Sequence, residues 1–283
     1  MTGHHPIKIA HIITGLNVGG AEVMLYNLLS RTDRSRFAPE VISLLEPGPI
    51  GARIQALDIP VHSLGMSRGG MNPRYLLQLA RWLRTNRASI VQTWMYHADL
   101  LGGLATILAG RMPVVWGIHH STLEGAGTSK RTAQIARLCA RLSHYVPTCI
   151  ICCSEATRQA HTQLGYDANK MIVIPNGFDV SAFRPDPTAR VGIRIELGLP
   201  GNTRLIGLVA RFHPYKDHQT FVQAAGLLHR ELPDVHFLLC GSHVQPDNTQ
   251  LTAWIDAADV AEVCHLLGRR EDMPRITASL DVA

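Results

Sequence analysis

Short apolar segments alternate with longer amphipathic segments along most of the 283-residue chain. This alternation predicts parallel strands joined by crossover helices. The first part of the chain has predicted strands at residues 8–14, 40–45, 61–64, 90–94, 114–118, 149–154 and 171–175, and predicted helices at residues 21–30, 73–85, 98–109, 130–142 and 155–164. The pattern resumes later, with strands at residues 205–210, 236–240 and 264–266 and helices at residues 218–231, 249–257 and 272–278.

A segment rich in Pro, Gly and Asp at residues 175–187 predicts an ordered hinge. The chain also exceeds the usual size of one domain. We therefore expect an α/β protein with two doubly wound, Rossmann-like domains, at residues 1–180 and 181–283. Residues 279–283 begin a further strand, so the second sheet is expected to be incomplete.

Composition narrows the class of protein. Hydrophobic residues make up 46% of the chain and charged residues 17%, which supports buried cores and argues against disorder. The apolar run at residues 100–109 is too short to span a bilayer, and no secretory signal precedes the first strand. The six cysteines lack the spacing of a metal site and are expected to be buried thiols. We expect a cytoplasmic protein.

The net charge of +5 is compatible with phosphorylated ligands, anionic lipid or nucleic acid. Nucleic acid is the weaker option, because the basic residues are dispersed and form no known DNA-binding pattern. The helix within residues 130–146 is predicted to be amphipathic. Its basic face holds Lys130, Gln134, Arg137, Arg141 and His144, and its apolar face is predicted to hold Ile135, Leu138, Cys139, Leu142 and Val146. Such a helix is either an ordinary surface helix or a peripheral membrane contact.

Arg211 and Lys216 follow the predicted strand at residues 205–210. Two cations at the carboxyl end of a strand, just before a helix, suit the neutralisation of a diphosphate. The sequence contains no Asp-x-Asp pair that would hold a metal ion for the same purpose. The alternative is a pair of solvated loop charges.

A glycine loop at residues 15–20 joins the first strand to the first helix. Gly19 and Gly20 would let a ligand approach the backbone, and the helix start offers free N–H groups to an anion. The spacing differs from both the dinucleotide fingerprint and the Walker loop. A tight turn without a ligand is the alternative.

Histidines follow two of the predicted strands. His119 and His120 end the strand at residues 114–118, and His97 follows the strand at residues 90–94. The carboxyl ends of such strands face the ligand crevice in open α/β sheets. Alternation predicts that His119 and His120 point to opposite sides, so one of them is expected to line the crevice. Loop capping is the alternative, and nearby Asp99 is expected to favour a helix amino terminus.

Four motifs, in this order, resemble those of the retaining, nucleotide-sugar-dependent glycosyltransferases of family 4 (glycosyl transferases group 1), which have the GT-B fold. They are HIITGLNVGGAE at residues 11–22, IPNGFDVSAFRP at residues 174–185, GLVARFHPYKD at residues 207–217 and LLGRREDMP at residues 266–274. The resemblance implies transfer of a hexosyl group, with retention, from a nucleotide-diphosphate sugar to a polysaccharide or lipid-linked acceptor. It implies no metal ion or other cofactor.

The resemblance also implies roles for individual residues. Arg211 and Lys216 would hold the donor diphosphate and stabilise it as a leaving group, and Gly19 and Gly20 would approach the same phosphates. Further donor-binding positions are Gly241, Ser242, Leu267 and Arg269.

His119 best matches the family histidine near the transferred sugar, with His120 as the fallback. His97 and His120 would lie on the acceptor side. The loops at residues 65–72 and 121–129 are expected to read the acceptor. The enzyme would work in the cytoplasm, at the inner face of the membrane if the basic helix binds lipid.

The sequence departs from the family pattern near residue 283. The pattern places a pair of glutamates after the strand that begins at residue 280, and neither is present. We expect impaired transfer and a marginally stable second half. A non-catalytic remnant that binds nucleotide sugars is the main alternative. An epimerase or phosphorylase of the same fold fits the motifs less well, and a Rossmann dehydrogenase fits least.

Overall fold

The computed structural model describes residues 6–67, 72–120 and 129–283. The chain forms two compact units, which we call unit 1 (Met1–Gly177) and unit 2 (Phe178–Ala283). The two loops expected to recognise the acceptor are residues 65–72 and 121–129. Of these, residues 68–71 and 121–128 lie outside the described residues.

Unit 1 is built on a seven-stranded parallel sheet with the strand order β3-β2-β1-β4-β5-β6-β7. The direction in which successive strands are added reverses between β1 and β4. Ligands of open α/β sheets bind at such a switch point. The strands are β1 (Ile7–Ile13), β2 (Phe37–Ser43), β3 (Val61–Ser63), β4 (Ile90–Trp94), β5 (Val114–Ile118), β6 (Cys149–Cys152) and β7 (Met171–Val173). The helices of its described part are α1 (Gly20–Ser30), α2 (Pro49–Gln55), α3 (Pro73–Asn86), α4 (Tyr96–Leu108), α5 (Lys130–Ser143) and α6 (Glu155–Gln163).

The central strands of unit 1 are apolar on both faces because helices cover both. One core lies between the sheet and α3, α4 and α5 and includes Ile12. A second core lies against α1 and α2 and includes Ile13 and Trp94. This double burial explains the near-continuous apolar runs that made the strands predictable.

Unit 2 contains a three-stranded parallel sheet in the order β10-β9-β8. Its strands are β8 (Arg204–Val209), β9 (Val235–Cys240) and β10 (Cys264–Leu266), and its helices are α7 (Pro187–Glu196), α8 (His218–Glu231), α9 (Thr249–Ala257) and α10 (Met273–Ser279). Val282 forms a parallel bridge with Ile206 of β8. The chain therefore returns to this sheet after α10, as the sequence predicted.

A buried arginine joins three segments of unit 2. Arg194 of α7 is fully buried, and its Nε donates to the carbonyl oxygen of Thr203 at 2.8 Å. Its Nη1 donates to the carbonyl oxygen of Ser279 at 3.1 Å, and its Nη2 donates to Asp281 at 2.8 Å. The same carboxylate oxygen of Asp281 accepts the backbone N–H of Leu205 at 2.8 Å. The segment after α10 is thus fixed to α7 and β8.

The structure differs from the prediction in two helices, in one exposed side chain and in the bounds of some strands, such as β2, which was predicted at residues 40–45 and lies at Phe37–Ser43. The short α2 was not predicted. Neither was α7, although Asp186 caps it by accepting the N–H of Thr188 at 2.8 Å and Pro187 begins it, a typical helix start. Leu138 was placed on the apolar face of α5, but it is 44% exposed. Eight residues separate it from Lys130, which turns it only about 80° away from that residue. Ile135 and Cys139 are buried as predicted.

In the described parts of the chain, no helix combines the length and the apolar character needed to cross a membrane.

Candidate functional site

Arg211 lies just beyond the carboxyl end of β8, where backbone hydrogen bonds tie the loops after three strands together. The N–H of Phe212 donates to the carbonyl oxygen of Ser242 at 2.8 Å, and the N–H of Gly241 donates to that of Gly268 at 2.9 Å. The structure therefore brings Arg211, Gly241 and Ser242 to one edge of the sheet in unit 2.

Lys216 ends a 3-10 turn, Pro214–Lys216, that leads into α8. Asp217 caps α8 from a left-handed conformation with φ 47°. Within the described ranges, no carboxylate pairs with Arg211 or Lys216, and both residues are exposed. By contrast, carboxylates pair with four other arginines of unit 2, namely Arg190, Arg194, Arg270 and Arg275. Arg211 and Lys216 are thus available to an external anion.

Leu267 and Arg269 follow β10 at the same edge. The N–H of Leu267 donates to the carbonyl oxygen of Leu239 at 3.0 Å, and the N–H of Gly268 donates to that of Val244 at 2.8 Å. Gly268 has φ 62°, a left-handed conformation that favours glycine. Leu267 is half-buried and Arg269 is exposed, so one apolar and one basic side chain complete the candidate donor site.

Gly19 and Gly20 begin α1 in unit 1, Gly19 as its N-cap and Gly20 as its first residue. A Cβ on Gly19 would lie 2.3 Å from Oε2 of Glu22, so a side chain there would displace the flexible end of Glu22. No atom of the described residues lies within 4 Å of a Cβ built on Gly20. The Glu22 carboxylate lies beside the helix start, where the helix dipole favours negative charge.

His119 follows β5, and its ring stacks on the indole of Trp94. The ring centroids are 4.9 Å apart and the planes differ by 11°. The backbone N–H of His119 donates to Sδ of Met95 at 3.3 Å. Burial lowers the pKa of His119, and a hydrogen bond with the side chain of Asn176 partly opposes this shift. The imidazole is therefore neutral at neutral pH.

His120 and His97 have other neighbours. His120 lies near His161, whose pKa is lowered first by burial and also by His120. His97 lies half-buried at the start of α4, and its pKa is lowered first by burial and then by the charge of Arg131. Of the three predicted histidines, His119 is the one whose ring stacks on Trp94.

Trp94 and Met95 were not recognised from the sequence. Trp94 is the last residue of β4, and Met95 lies between β4 and α4. Both are at the same edge of the sheet as His119, and this position was the available signal. Met95 has φ 72°, which is uncommon for a residue other than glycine. Such backbone strain often occurs at functional sites.

Asp99 lies in the first turn of α4, as predicted, but it is fully buried. The hydroxyl of Thr93 donates to its Oδ1 at 2.5 Å. Burial raises the pKa of Asp99 to about 7, against the opposing effect of hydrogen bonds from Thr93 and the backbone of Gly117. Asp99 therefore joins the ends of β4 and β5, from which Trp94 and His119 project.

Two α/β units, each with a parallel sheet, define this molecule as a protein of the GT-B class of glycosyltransferase folds, and the predicted fold class is confirmed. The chain belongs to glycosyltransferase family 4. The model of "Glycosyltransferase Family 4" matches residues 18–182, and that of "Glycosyl transferases group 1" matches residues 192–283.

Two relatives and one solved structure illustrate the similarity. "Putative glycosyltransferase EpsF" of Bacillus subtilis is 27% identical over 78% of this chain, which spans 58% of the length of EpsF. The UDP-Gal:alpha-D-GlcNAc-diphosphoundecaprenol alpha-1,3-galactosyltransferase of Escherichia coli is 25% identical over 99% of this chain. The match covers 73% of the length of that enzyme. The crystal structure of Anabaena HepE in complex with UDP and glucose superimposes with a TM-score of 0.80 at 22% identity, over 97% of this chain and 73% of HepE.

Proposed function

We propose that this chain is the donor- and acceptor-binding part of a retaining hexosyltransferase. The observation that carries the proposal is the match of both family models, in order, from residue 18 to residue 283. The name of the Escherichia coli relative specifies UDP-galactose as donor and a sugar on diphosphoundecaprenol as acceptor, and HepE was crystallised with UDP-glucose. The proposed donor is a UDP-hexose, and the proposed acceptor is a lipid-linked saccharide or polysaccharide.

In this proposal, Arg211 and Lys216 bind the donor diphosphate. Their exposure and the lack of a paired carboxylate among the described residues support this role. Two fixed cations would stabilise the charge that develops on the leaving UDP without a metal ion. The loops that carry Gly241, Ser242, Leu267 and Arg269 would bind the rest of the nucleotide, and the backbone of Gly19 and Gly20 would approach the phosphates.

His119 would lie against the transferred sugar. Its place at the carboxyl edge of the sheet and its neutral imidazole support this role, since a neutral ring offers one N–H donor and one acceptor nitrogen without adding charge. His97 and His120 would lie on the acceptor side.

We propose that α5 contacts the cytoplasmic face of a membrane. Lys130, Arg137 and Arg141 are exposed on one face, beside Leu138 at 44% and Tyr145 at 83% exposure. Basic side chains with exposed apolar neighbours suit an anionic lipid surface. Binding there would bring the site to a lipid-linked acceptor.

A transfer assay tests the proposed reaction. The purified chain is incubated with UDP-galactose or UDP-glucose and an undecaprenyl-diphosphate-linked sugar, and the anomeric configuration of the product is read by NMR. We expect an α-linked product. The Arg211→Ala variant should transfer the sugar roughly 100-fold more slowly than the unaltered chain. UDP binding without transfer would favour the non-catalytic alternative. Absence of UDP binding would contradict both functions.

Sedimentation with phosphatidylglycerol vesicles tests the membrane contact. The double variant Arg137→Glu and Arg141→Glu should lose binding. The control, Arg230→Glu on the exposed surface of α8, should retain it. Equal binding by both variants would contradict the contact.

A further inference from the structure

Three aromatic rings form a row across the sheet of unit 1. In the sheet, Ile13 of β1 is paired with Trp94 of β4, and Trp94 is paired with Gly117 of β5. His11, Trp94 and His119 therefore lie on the same face, because residues two apart on a strand share a face. The ring centroids are 6.2 Å apart between His11 and Trp94 and 4.9 Å apart between Trp94 and His119. The row ends at the histidine proposed to face the sugar.

The indole of Trp94 is held in one orientation. It is 3% exposed and packs in the core beneath α1 and α2. Its Nε1–H donates to Nδ1 of His11 at 3.4 Å. His11 is buried, and burial lowers its pKa to about 4, so its ring is neutral and can accept this hydrogen. A side chain fixed by both packing and a hydrogen bond is a rigid support for a second ring.

The stack on Trp94 fixes the plane of the His119 ring, and Met95 fixes the backbone from which that ring projects. Sδ of Met95 accepts the backbone N–H of His119. Met95 adopts φ 72° and ψ 161°, a conformation that costs a non-glycine residue about 1–3 kcal/mol. The N–H of Met95 donates to the carbonyl oxygen of Gly117 at 2.9 Å, which helps to retain this conformation.

Gly117 lies beside the imidazole, and the close approach of the Thr93 backbone requires a glycine at this position. A Cβ at this position would lie 2.9 Å from the carbonyl oxygen of Thr93 and 3.7 Å from Nε2 of His119. One face of the ring stacks on the indole of Trp94, and the Nε2 side of the ring lies near Gly117 of β5.

We propose that Trp94 and Met95 are positioning residues for His119: the indole sets the plane of the imidazole, and the sulfur sets the backbone beneath it. One ring nitrogen is thereby oriented toward the transferred sugar before the donor binds. The sugar as ligand rests on the proposed function, whereas the arrangement of the rings does not.

NMR of the 283-residue chain with labelled histidine tests the arrangement without any substrate. His119→Gln assigns the His119 signals. In the unaltered protein the ring protons of His119 should be shifted upfield by the stacked indole and give one set of signals. Trp94→Leu should remove this shift, whereas Trp94→Phe, which keeps a smaller aromatic face, should retain part of it. Met95→Leu should keep the stack and shift the backbone N–H of His119.

Trp116→Leu is the matched control. Trp116 is also fully buried, but it packs in the other core, on the opposite face of the same sheet. Its replacement removes an equally large indole and should leave the His119 ring signals unchanged. In the transfer assay, Trp94→Leu should lower kcat tenfold or more, since small displacements of a reacting group cost about 100-fold. The KM for the donor should change little, and Trp94→Phe should restore most of the rate.

His119 signals that are unchanged in a folded Trp94→Leu or Trp94→Phe variant would overturn the proposal, as would equal changes in Trp116→Leu. The expected ring shifts together with full transfer activity of His119→Gln would support the positioning by Trp94 and contradict the role of His119 in the proposed function. The two failures are therefore distinguishable.

Discussion

The backbone of Gly241 lies directly against the carbonyl group of Ala210. A Cβ at position 241 would stand 2.0 Å from the Ala210 oxygen and 2.8 Å from the backbone nitrogen of Arg211. This contact between two strand ends determines where Arg211 leaves β8. Glycine at position 241 is therefore required by the fold of the candidate donor site, whether or not it also contacts the nucleotide.

Gly241→Ala should destabilise unit 2 by about 3 kcal/mol, because the atoms that meet the new methyl group belong to the backbone and cannot rotate away. Urea unfolding measures the change. Gly201→Ala is the control, since no atom of the described structure lies within 4 Å of a Cβ there. It should change stability by less than about 0.5 kcal/mol. Similar small effects of both substitutions would contradict the close approach.

Gly20→Ala separates a ligand requirement from a structural one. The position is open and begins α1, so alanine should leave stability unchanged or raise it by up to about 1 kcal/mol. If the donor phosphates approach this backbone, UDP affinity should nevertheless fall, and calorimetric titration with UDP measures the loss. Unchanged affinity in this variant would remove Gly20 from the donor site.

Asp99 should make the stability of unit 1 depend on pH. Its pKa is raised from 3.8 to about 7 by burial, so between these values the folded state holds a proton that the unfolded state releases. The stabilisation is complete below about pH 4 and is lost as the pH rises to about 7, in total about 4 kcal/mol. Asp99→Asn cannot ionise and lacks this dependence.

Denaturant unfolding of both proteins at pH 5, 6, 7 and 8 measures the difference. The Asn variant should gain relative stability up to about pH 7 and then level off. A constant difference across this range would show that Asp99 titrates normally.

Asp281→Ala should destabilise unit 2 by about 3 kcal/mol, because it leaves the fully buried Arg194 without its carboxylate. Adding Arg194→Met should recover part of the loss, since the uncompensated charge is then removed. Thermal unfolding of the single and double variants tests this coupling. If the second substitution only adds to the loss, the ion pair does not explain the effect.

The sequence predicted those elements whose burial leaves a clear pattern. The bounds of β4 and β5 were predicted correctly because both strands are covered by helices on both faces and read as short apolar runs. The short α2 was missed because its seven residues include Pro49 and Gly51, which are typical of a loop, although Ile50 and Ile54 are buried at a helical spacing. α7 was missed because the Pro-rich start was interpreted as part of the hinge, although Asp186 and Pro187 together are typical of a helix start.

The candidate site was predictable in position but not in its contacts. Arg211 and Lys216 could be placed at a strand end from local pattern alone. The stack of His119 on Trp94 depends on the register of β4 and β5, which join residues distant in sequence, and local periodicity does not specify that register. Local periodicity does not reveal the requirement for glycine at position 241 either, because this requirement comes from the backbone of Ala210 at the end of a neighbouring strand.

Calorimetric titration of UDP into four proteins tests the central claim, that Arg211 and Lys216 bind the donor diphosphate. The proteins are the unaltered chain, Arg211→Ala, Lys216→Ala and the control Arg204→Ala, which removes an exposed arginine from the opposite end of the same strand. Each of the first two substitutions should weaken binding about tenfold or more, as expected for the loss of a charge-assisted contact, and Arg204→Ala should bind within about twofold of the unaltered chain. Equal affinity of Arg211→Ala and the unaltered chain for UDP would contradict the claim.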